Sequence, residues 1–224
     1  MGDFMLEVYI KKLMPIIKEM FKDMTGSHDL NHFLRTMKLA LYLQSKEGGD
    51  EIIIGISSFL HDVHRLIQSK TKKYVTPKES LDKVLEIIKD TKLDLSNEQI
   101  SEILFCIEHH EDYNWNGNNV DDINALILQD ADNLDAIGAI GIGRSFGYAA
   151  INNQPFYDEK IPLEKFDGYE EKLKDVSNIH FLNNKLIKLG DNMNTKTAKK
   201  IAKSRVKFNN DFIDEYIKEW NVEL

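Results

Sequence analysis

Apolar residues recur along most of the chain at the spacing of an α-helix. Residues 4–23 carry apolar side chains two to four positions apart, and residues 29–46 repeat the pattern. Residues 50–67 are apolar on nearly every side, which predicts a central, buried helix. Two polar residues inside that helix, His61 and Asp62, therefore need a structural or chemical reason.

Capping motifs predict where the next helices begin. Residues 76–79, Thr-Pro-Lys-Glu, form a capping box with proline at the first helical position, and residues 96–99, Ser-Asn-Glu-Gln, form a second one. The second box opens a helix that we expect to run to about Glu111. Asp121 or Asp122 is then placed to cap an apolar helix.

The second half of the chain is also predicted to be helical. Four glycines between residues 138 and 147 predict close helix packing or a bend, and residues 152–168 look like an irregular loop. Two or three further helices are expected from residue 168 onward. Because no stretch alternates apolar and polar residues as a strand does, the fold class is predicted to be all-α.

Length and patterning predict one domain over residues 1–224. We expect a helical bundle as its core over about residues 20–150, with a C-terminal helical extension over about 151–224. The net charge of −8 argues against broad nucleic-acid binding. No apolar run approaches the ~20 residues of a membrane span. The single cysteine, Cys106, suits a reducing compartment, so a cytoplasmic protein is expected.

Histidine is the residue type whose distribution stands out. Six of the seven histidines fall into three close groups, at residues 28 and 32, 61 and 64, and 109 and 110. His32 is the favoured metal ligand of the first group, because Asp29 is placed to cap a helix and His28 would then precede it. The adjacent His61 and Asp62 have donor atoms that suit a transition metal, but an isolated pair of this kind is more often a structural pair whose side chains hydrogen-bond each other.

Two aspartates in another apolar segment, Asp130 and Asp132, also need a partner. A carboxylate among apolar residues is costly unless it is paired, protonated or bound to a cation. Because residues two apart point about 200° from each other around a helix, one of the two is expected to face the protein centre. The residues alone leave open which one binds a cation.

The order His32, then His61-Asp62, then Asp132 resembles the HD-domain metal-dependent phosphohydrolase superfamily. The surrounding segments extend the resemblance, and the most specific of them, QDADNLDAIGAIGIGRSF, is similar to a small stand-alone YedJ/YpgQ-like branch. The segments SHDLNHFLRT and FLHDVHR and the closing MNTKTAKKIAKSRVKFNNDFIDEYIKEW match as well, so the resemblance spans roughly residues 20–220.

The resemblance implies a metal centre and a hydrolytic reaction. His32, His61, Asp62 and Asp132 would coordinate one divalent ion (Mn, Mg, Ni, Fe or Zn), with Asp130 as the alternative fourth ligand. A metal-bound hydroxide would attack phosphorus in a nucleotide substrate. The expected activity is that of a (d)NTP pyrophosphohydrolase or phosphatase.

Other residues are expected around the substrate. Arg65, Arg144 and His110 are candidate phosphate contacts, and Arg65, His109 and His110 are candidate catalytic residues beside Asp62. Each has a structural alternative, because Arg65 can pair with a neighbouring acid and histidines are favoured at a helix C-terminus by the helix dipole. His64 is expected in the core, on the side of its helix opposite the site.

Two other functions fit the same resemblance. The chain would then be a non-catalytic nucleotide-binding HD module, acting as a sensor or interaction protein, or another HD enzyme such as a phosphodiesterase. The predicted partner is in every case a small-molecule phosphate ester or nucleotide. Neither a membrane nor a specific nucleic-acid partner is expected, and a homodimer is compatible with the sequence.

Overall fold

The computed structural model describes residues 2–24, 28–112, 120–163 and 176–223. Every regular element within these four ranges is helical, so the all-α prediction is confirmed. In the same ranges, the helices lack the combination of length and apolar character that crossing a membrane requires. The α-helices are α1 (Gly2–Met20), α2 (Leu30–Glu47), α3 (Glu51–Leu60), α4 (Val63–Thr71), α5 (Leu81–Asp90), α6 (Asn97–His109), α7 (Ile123–Asp135), α8 (Gly138–Ile151), α9 (Asn178–Phe181), α10 (Ile187–Leu189) and α11 (Lys196–Trp220).

Side chains cap several helices as the sequence predicts. The Asp29 carboxylate accepts a hydrogen bond from the His32 backbone at the start of α2, and Asp122 accepts one from Ala125 at the start of α7. Both halves of the capping box at Ser96 are present at the start of α6. These bonds satisfy backbone N–H groups that have no partner within the helix.

The box at residues 76–79 forms only in part. The Glu79 carboxylate accepts a hydrogen bond of 2.8 Å from the Thr76 backbone N–H, as a capping box requires. The chain then enters a single 3₁₀ turn, Lys78–Ser80, before α5 begins at Leu81. The predicted helix therefore starts a few residues later than the motif indicates.

The segment predicted as one helix over residues 50–67 consists of two. It ends as α3 at Leu60 and resumes as α4 at Val63, with His61 and Asp62 at the junction. Asp62 leaves helical geometry, with φ −93° and ψ 17°, and its side chain makes no capping bond to α4. This break turns two neighbouring side chains toward one point, which an unbroken helix would not do.

The described residues form two compact units, one ending at residue 132 and one beginning at 133. In the first unit α3 is the central helix, and it packs against α1, α2 and α6. Gly55 allows the closest approach, because a Cβ atom there would lie 2.6 Å from the Leu6 side chain of α1. Phe33 and Phe59 are fully buried in this core.

In the second unit α8 packs against α11. Gly138 has the left-handed φ of +82°, and its N–H donates a 2.8 Å hydrogen bond to the buried Asn209 side chain of α11. Residues 164–175 lie outside the described ranges. Among the described residues, the first helix after residue 168 is α9, and a π-helical stretch, Leu182–Leu186, joins α9 to α10. The boundary at 132/133 precedes the core limit of about 150 expected from sequence, and the single-domain assignment stays a prediction.

Candidate metal centre

Four predicted ligands bring one donor atom each to a common point in the first unit. The Nε2 atoms of His32 and His61 lie 3.1 Å apart. Asp62 Oδ2 lies 3.2 Å from His32 Nε2 and 3.6 Å from His61 Nε2. Asp132 Oδ1 lies 3.4 Å and 3.6 Å from the same two nitrogens. The cluster is therefore made of two imidazole nitrogens and two carboxylate oxygens.

Three parts of the fold supply these atoms. His32 is in the first turn of α2, His61 and Asp62 are at the break between α3 and α4, and Asp132 is near the end of α7. His32 and His61 are fully buried and Asp62 is nearly so, whereas the Asp132 side chain is 16% exposed. The cluster is thus open to solvent mainly on the Asp132 side.

The hydrogen bonds of His61 fix which of its nitrogens is free to bind a metal. Its Nδ1 lies 2.8 Å from the Ser58 carbonyl oxygen, so Nδ1 carries the proton and donates. The Nε2 atom of the neutral ring then presents its lone pair to His32, whose own Nδ1 lies 3.3 Å from the Thr36 hydroxyl. A backbone carbonyl behind a ligand histidine is the usual arrangement at metal sites.

The spacing of the four donors fits a shared divalent ion. Ligand atoms about 2.0–2.2 Å from a metal lie about 3.0–3.6 Å from one another in octahedral or tetrahedral geometry. The five donor distances that involve a histidine nitrogen span 3.1–3.6 Å. Buried lone pairs and carboxylate oxygens this close repel one another unless a positive charge lies among them, so the residues present fit the metal.

Both carboxylates are held in the charged form that a metal requires. Burial raises the pKa of Asp62, but the neighbouring imidazoles of His28, His61 and His32 outweigh burial and hold this pKa well below its usual value. Burial likewise raises the pKa of Asp132, but the neighbouring imidazoles of His32 and His61 outweigh burial and hold this pKa well below its usual value.

His28, whose position the sequence left open, lies against the cluster. Its Nδ1 is 2.6 Å from Asp62 Oδ2, the same oxygen that faces His32. The side chain is 29% exposed, and burial lowers the pKa of His28 against the opposing effect of Asp62. His28 therefore fixes the direction in which the Asp62 carboxylate points.

Arg65 lies one turn beyond Asp62 and pairs with an acid, the structural alternative considered for it. Its guanidinium binds the Glu111 carboxylate through Nη2, and its Nε is 3.7 Å from Asp62 Oδ1. Burial raises the pKa of Glu111, but His64 and Arg65 outweigh that and lower it to about 2. Sequence analysis did not identify Glu111 as a site residue, although it directly follows the third histidine pair.

His64 was expected to be buried and to lie on the side of its helix opposite the site, and only the burial is confirmed. Its side chain is fully buried, but it lies on the site's side of the helix, because its Nε2 is 3.6 Å from Glu111 Oε2 and its Nδ1 is 3.9 Å from Asp62 Oδ1. The prediction that it faces away was wrong because it assumed an unbroken helix. The break at residues 61–62 changes the direction of every side chain that follows.

The two adjacent histidines at the end of α6 lie in different surroundings. His110 is buried, its ring centre is 5.1 Å from that of His61, and burial lowers the pKa of His110 to about 4. His109 is 29% exposed, and its Nδ1 lies 2.6 Å from the Asp112 carboxylate. The structure thus brings His110 and not His109 to the cluster.

Asp130 and Arg144 are also predicted residues that are not among the clustered side chains of the first unit. Asp130 is fully buried in α7, but among the described residues it belongs to none of the groups of side chains that could hold a metal, whereas Asp132 does. Arg144 lies in the second unit, where its guanidinium is 2.6 Å from the buried Asp135 carboxylate. A phosphate-binding role for Arg144 stays a prediction.

Known proteins resemble this chain over nearly its whole length. The protein YpgQ of Bacillus subtilis (strain 168) is 27% identical over 221 residues, which cover 91% of this chain and 89% of YpgQ. The crystal structure of an HD-superfamily hydrolase from Bacillus thuringiensis is 29% identical, with a TM-score of 0.72 over 97% of this chain and all of the other.

A crystal structure of Bacillus subtilis YpgQ in complex with ADP has a TM-score of 0.70 to this chain, and the alignment covers 96% of each chain at 23% identity. This similarity supports a shared fold. Residues 29–137, which include all four clustered ligands, match the sequence profile of the HD domain. Over these residues the chain therefore carries an HD domain.

Proposed function

We propose that this protein is a metal-dependent phosphohydrolase that acts on nucleotides. The observation that carries the proposal is the convergence of His32, His61, Asp62 and Asp132 on one point with the guanidinium of Arg65 beside it. A site of this kind combines a place for a divalent ion with a group that binds phosphate oxygens.

The four clustered side chains would hold the ion. Their two neutral imidazoles and two carboxylates offset its double charge and suit Mn, Fe, Ni or Zn better than Ca. A divalent ion bound there polarises a phosphoryl oxygen and lowers the pKa of a bound water toward neutrality. The 16% exposed side of Asp132 leaves a direction from which substrate can approach.

Arg65 is the cationic side chain placed to bind the substrate phosphate. The planar guanidinium offers several donors in a fixed arrangement, so it can bind a phosphate oxygen and keep its pair with Glu111. The pair with Glu111 and the 3.3 Å hydrogen bond to Gln68 orient the guanidinium beforehand. Negative charge that develops on phosphorus during attack is then stabilised by a group already in position.

His110 contributes differently from what the sequence suggested. Its Nδ1 donates to the Ile107 carbonyl at 2.6 Å, and with a pKa of about 4 the ring is neutral at pH 7. A neutral ring with this tautomer has an acceptor and not a donor at Nε2. We therefore assign leaving-group protonation to solvent or to a group outside this cluster.

The proposal of a nucleotide substrate is supported by the relative YpgQ, a structure of which contains ADP. Within this branch we expect cleavage of a nucleoside triphosphate to the monophosphate and pyrophosphate. Loss of phosphate one group at a time is the alternative outcome, and both outcomes would require attack on phosphorus.

A substrate panel with product analysis tests the proposal. Purified protein loaded with Mn²⁺ is incubated with the eight common NTPs and dNTPs, ADP and p-nitrophenyl phosphate, and products are identified by ³¹P NMR. The proposal expects nucleotide-dependent release of pyrophosphate or phosphate. If no compound is hydrolysed while nucleotides raise the Tm of the loaded protein, the chain is a binding module and the proposal is wrong.

A further inference from the structure

The last described helix, α11, separates its charges along its length. Residues 196–210 include five lysines, one arginine and no acid, whereas residues 211–220 include four acids and one lysine. All of these charged side chains except Arg205 are exposed. Most of them recur every three or four residues and therefore lie along one side of the helix: Lys196, Lys200, Lys203, Lys207, Asp211, Asp214 and Glu215.

This order of charges is the reverse of the order that a single helix favours. The helix dipole is stabilised by acids in the first turn and by cations in the last turn. The first turn of α11 carries Lys196 and Lys199 and no acid, and Glu215 and Glu219 lie in its last two turns. Lysines four residues apart also repel one another along the basic half. The pattern therefore destabilises the isolated helix, and a partner with the opposite order of charges would offset that effect.

The helix neutralises only part of this charge itself. Its internal ion pairs are Lys207 with Asp211 at 2.6 Å and Lys218 with Glu215 at 3.5 Å. Six other charged side chains of α11 have no ion pair among the described residues: Lys196, Lys199, Lys200, Lys203, Asp214 and Glu219. The exposed side of α11 thus presents positive charge at one end and negative charge at the other.

An exposed aromatic residue marks the middle of the same helix. Phe208 is 48% exposed and lies twelve residues from each end of α11. In contrast, Phe212 and Tyr216 pack against the Phe146 ring of α8, with ring centres 5.9 Å and 6.0 Å apart. An apolar centre between polar, charged ends is the usual composition of a protein–protein interface.

We propose that α11 is the contact surface of a homodimer, in which two copies of the helix pack antiparallel across a two-fold axis near Phe208. In such an interface the same surface contacts itself and must be self-complementary. Lys200 and Glu215 are equally far along the helix from the point between residues 207 and 208, and so are Lys196 and Glu219. An antiparallel partner therefore places a lysine of one copy opposite an acid of the other in both pairs.

The acidic half of α11 distinguishes a second copy from a polyanionic partner. A nucleic acid or another phosphate chain would be attracted by the lysines and repelled by the acids farther along the same side. A second copy matches both halves and sets the two helix dipoles antiparallel. Exposed ion pairs are individually weak and screened by salt, so we expect a dimer with a micromolar Kd that dissociates as the salt concentration rises.

Charge reversal followed by a charge swap tests the proposal. Sedimentation velocity of the full chain, over a range of protein concentrations in low and high salt, measures the dimer Kd. Lys200→Glu and Glu215→Lys should each raise that Kd at least about tenfold, because the two-fold axis places like charges opposite each other twice. The double variant Lys200→Glu/Glu215→Lys restores opposite charges and should dimerise like wild type.

Lys38→Glu is the matched control for these variants. Lys38 is an exposed lysine of α2 in the first unit, and its reversal changes the net charge as much as Lys200→Glu does. This control should dimerise like wild type. Phe208→Ser should weaken the dimer, because it removes the apolar centre of the interface. Far-ultraviolet circular dichroism of each variant checks that α11 is still helical.

A wild-type chain that stays monomeric in low salt at every concentration would overturn the proposal. So would a dimer that both single reversals leave unchanged, or a double variant that stays as weak as the single ones. A monomer whose binding of a labelled single-stranded oligonucleotide is lost in Lys200→Glu would assign the lysines to a polyanion instead. All of these measurements are made without substrate, so they do not depend on the proposed function.

Discussion

The Nε2 atoms of His32 and His61 lie 3.1 Å apart in the core of the first unit, and both rings are fully buried. Because Nδ1 of His61 donates to a backbone carbonyl, the Nε2 lone pair of its neutral ring faces the second imidazole. Two carboxylate oxygens complete the group within 3.6 Å. Without a metal, the lone pairs and carboxylate charges of these four groups repel one another, and a divalent ion among them removes that repulsion. The first predictions below therefore concern metal binding.

Metal binding should stabilise the protein against heat. An ion present at 100 times its Kd adds about 2.7 kcal/mol to the free energy of unfolding. For a chain of this size that corresponds to a rise in Tm of about 5–10 °C. Differential scanning calorimetry of EDTA-treated protein with and without Mn²⁺ measures it, and Asp132→Asn should lose most of the rise. An equal rise in that variant would mean that the ion binds elsewhere.

Removal of the His28 side chain should weaken metal binding without removing a ligand. His28 orients Asp62 through the 2.6 Å contact to Oδ2, and loss of such an outer partner typically costs 10–100-fold in metal affinity. Mn²⁺ titration of His28→Ala should therefore show a Kd at least tenfold higher than that of wild type. The same titration of His109→Ala, a partly exposed histidine that pairs with Asp112 and not with the ligands, should give the wild-type Kd.

Replacement of Arg65 by lysine should affect the substrate more than the metal. Lysine keeps the charge but cannot bind phosphate and Glu111 through a planar fork, so a charge-assisted hydrogen bond of about 1.5–3 kcal/mol is lost. We expect kcat/KM for the best nucleotide to fall about 10–100-fold while the Kd for Mn²⁺ stays within twofold. A variant that lost metal and activity in parallel would assign Arg65 to the metal centre instead.

Two glycine-to-alanine substitutions in α8 should have opposite effects on stability. Gly138 has a φ of +82° and its N–H is held by Asn209, so alanine there is strained by about 1–2 kcal/mol. Gly147 is helical with open space around its Cα, so alanine there should add about 0.5–1 kcal/mol to the free energy of unfolding. Urea denaturation of both variants checks the signs, and equal effects would contradict the geometry of α8.

Glu111 should contribute stability that is lost in acid. Its pKa is lowered from 4.5 to about 2 in the folded protein, so folding favours the charged form. The contribution is fully present above about pH 4.5 and disappears as the pH falls toward 2. The difference in unfolding free energy between wild type and Glu111→Gln, measured in EDTA, should therefore shrink over that range. A constant difference would mean that the charge of Glu111 is not what stabilises the protein.

The parts of the fold that the sequence predicted are those set by local interactions. The cap at Ser96 and the carboxylates of Asp29 and Asp122 act within three residues, so their helices begin where the motifs place them. The break at Asp62 was missed because neither it nor His61 has a side chain that forbids a helix. The break accompanies contacts with His32 and Asp132, which are distant in sequence and leave no local signal.

The same contrast between local and long-range interactions applies to the candidate site. The family resemblance identified the four residues that cluster, while the contacts of Glu111 with Arg65 and His64 join positions more than forty residues apart and leave no local pattern. His64 was placed on the wrong side for the same reason, since its direction depends on the break before it. The tautomers of His61 and His110 depend on which backbone carbonyl lies behind each ring, and only the folded chain shows it.

The most direct test of a metal-dependent hydrolase is a comparison of wild type with Asp62→Ala, which removes one of the four clustered ligands. Bound Mn²⁺ is measured by elemental analysis, nucleotide turnover by product release, and helix content by far-ultraviolet circular dichroism on the same samples. We predict that the variant keeps its helical spectrum and loses both the metal and the activity. A variant that folds and still turns over nucleotides at the wild-type rate would contradict the metal assignment and the mechanism built on it.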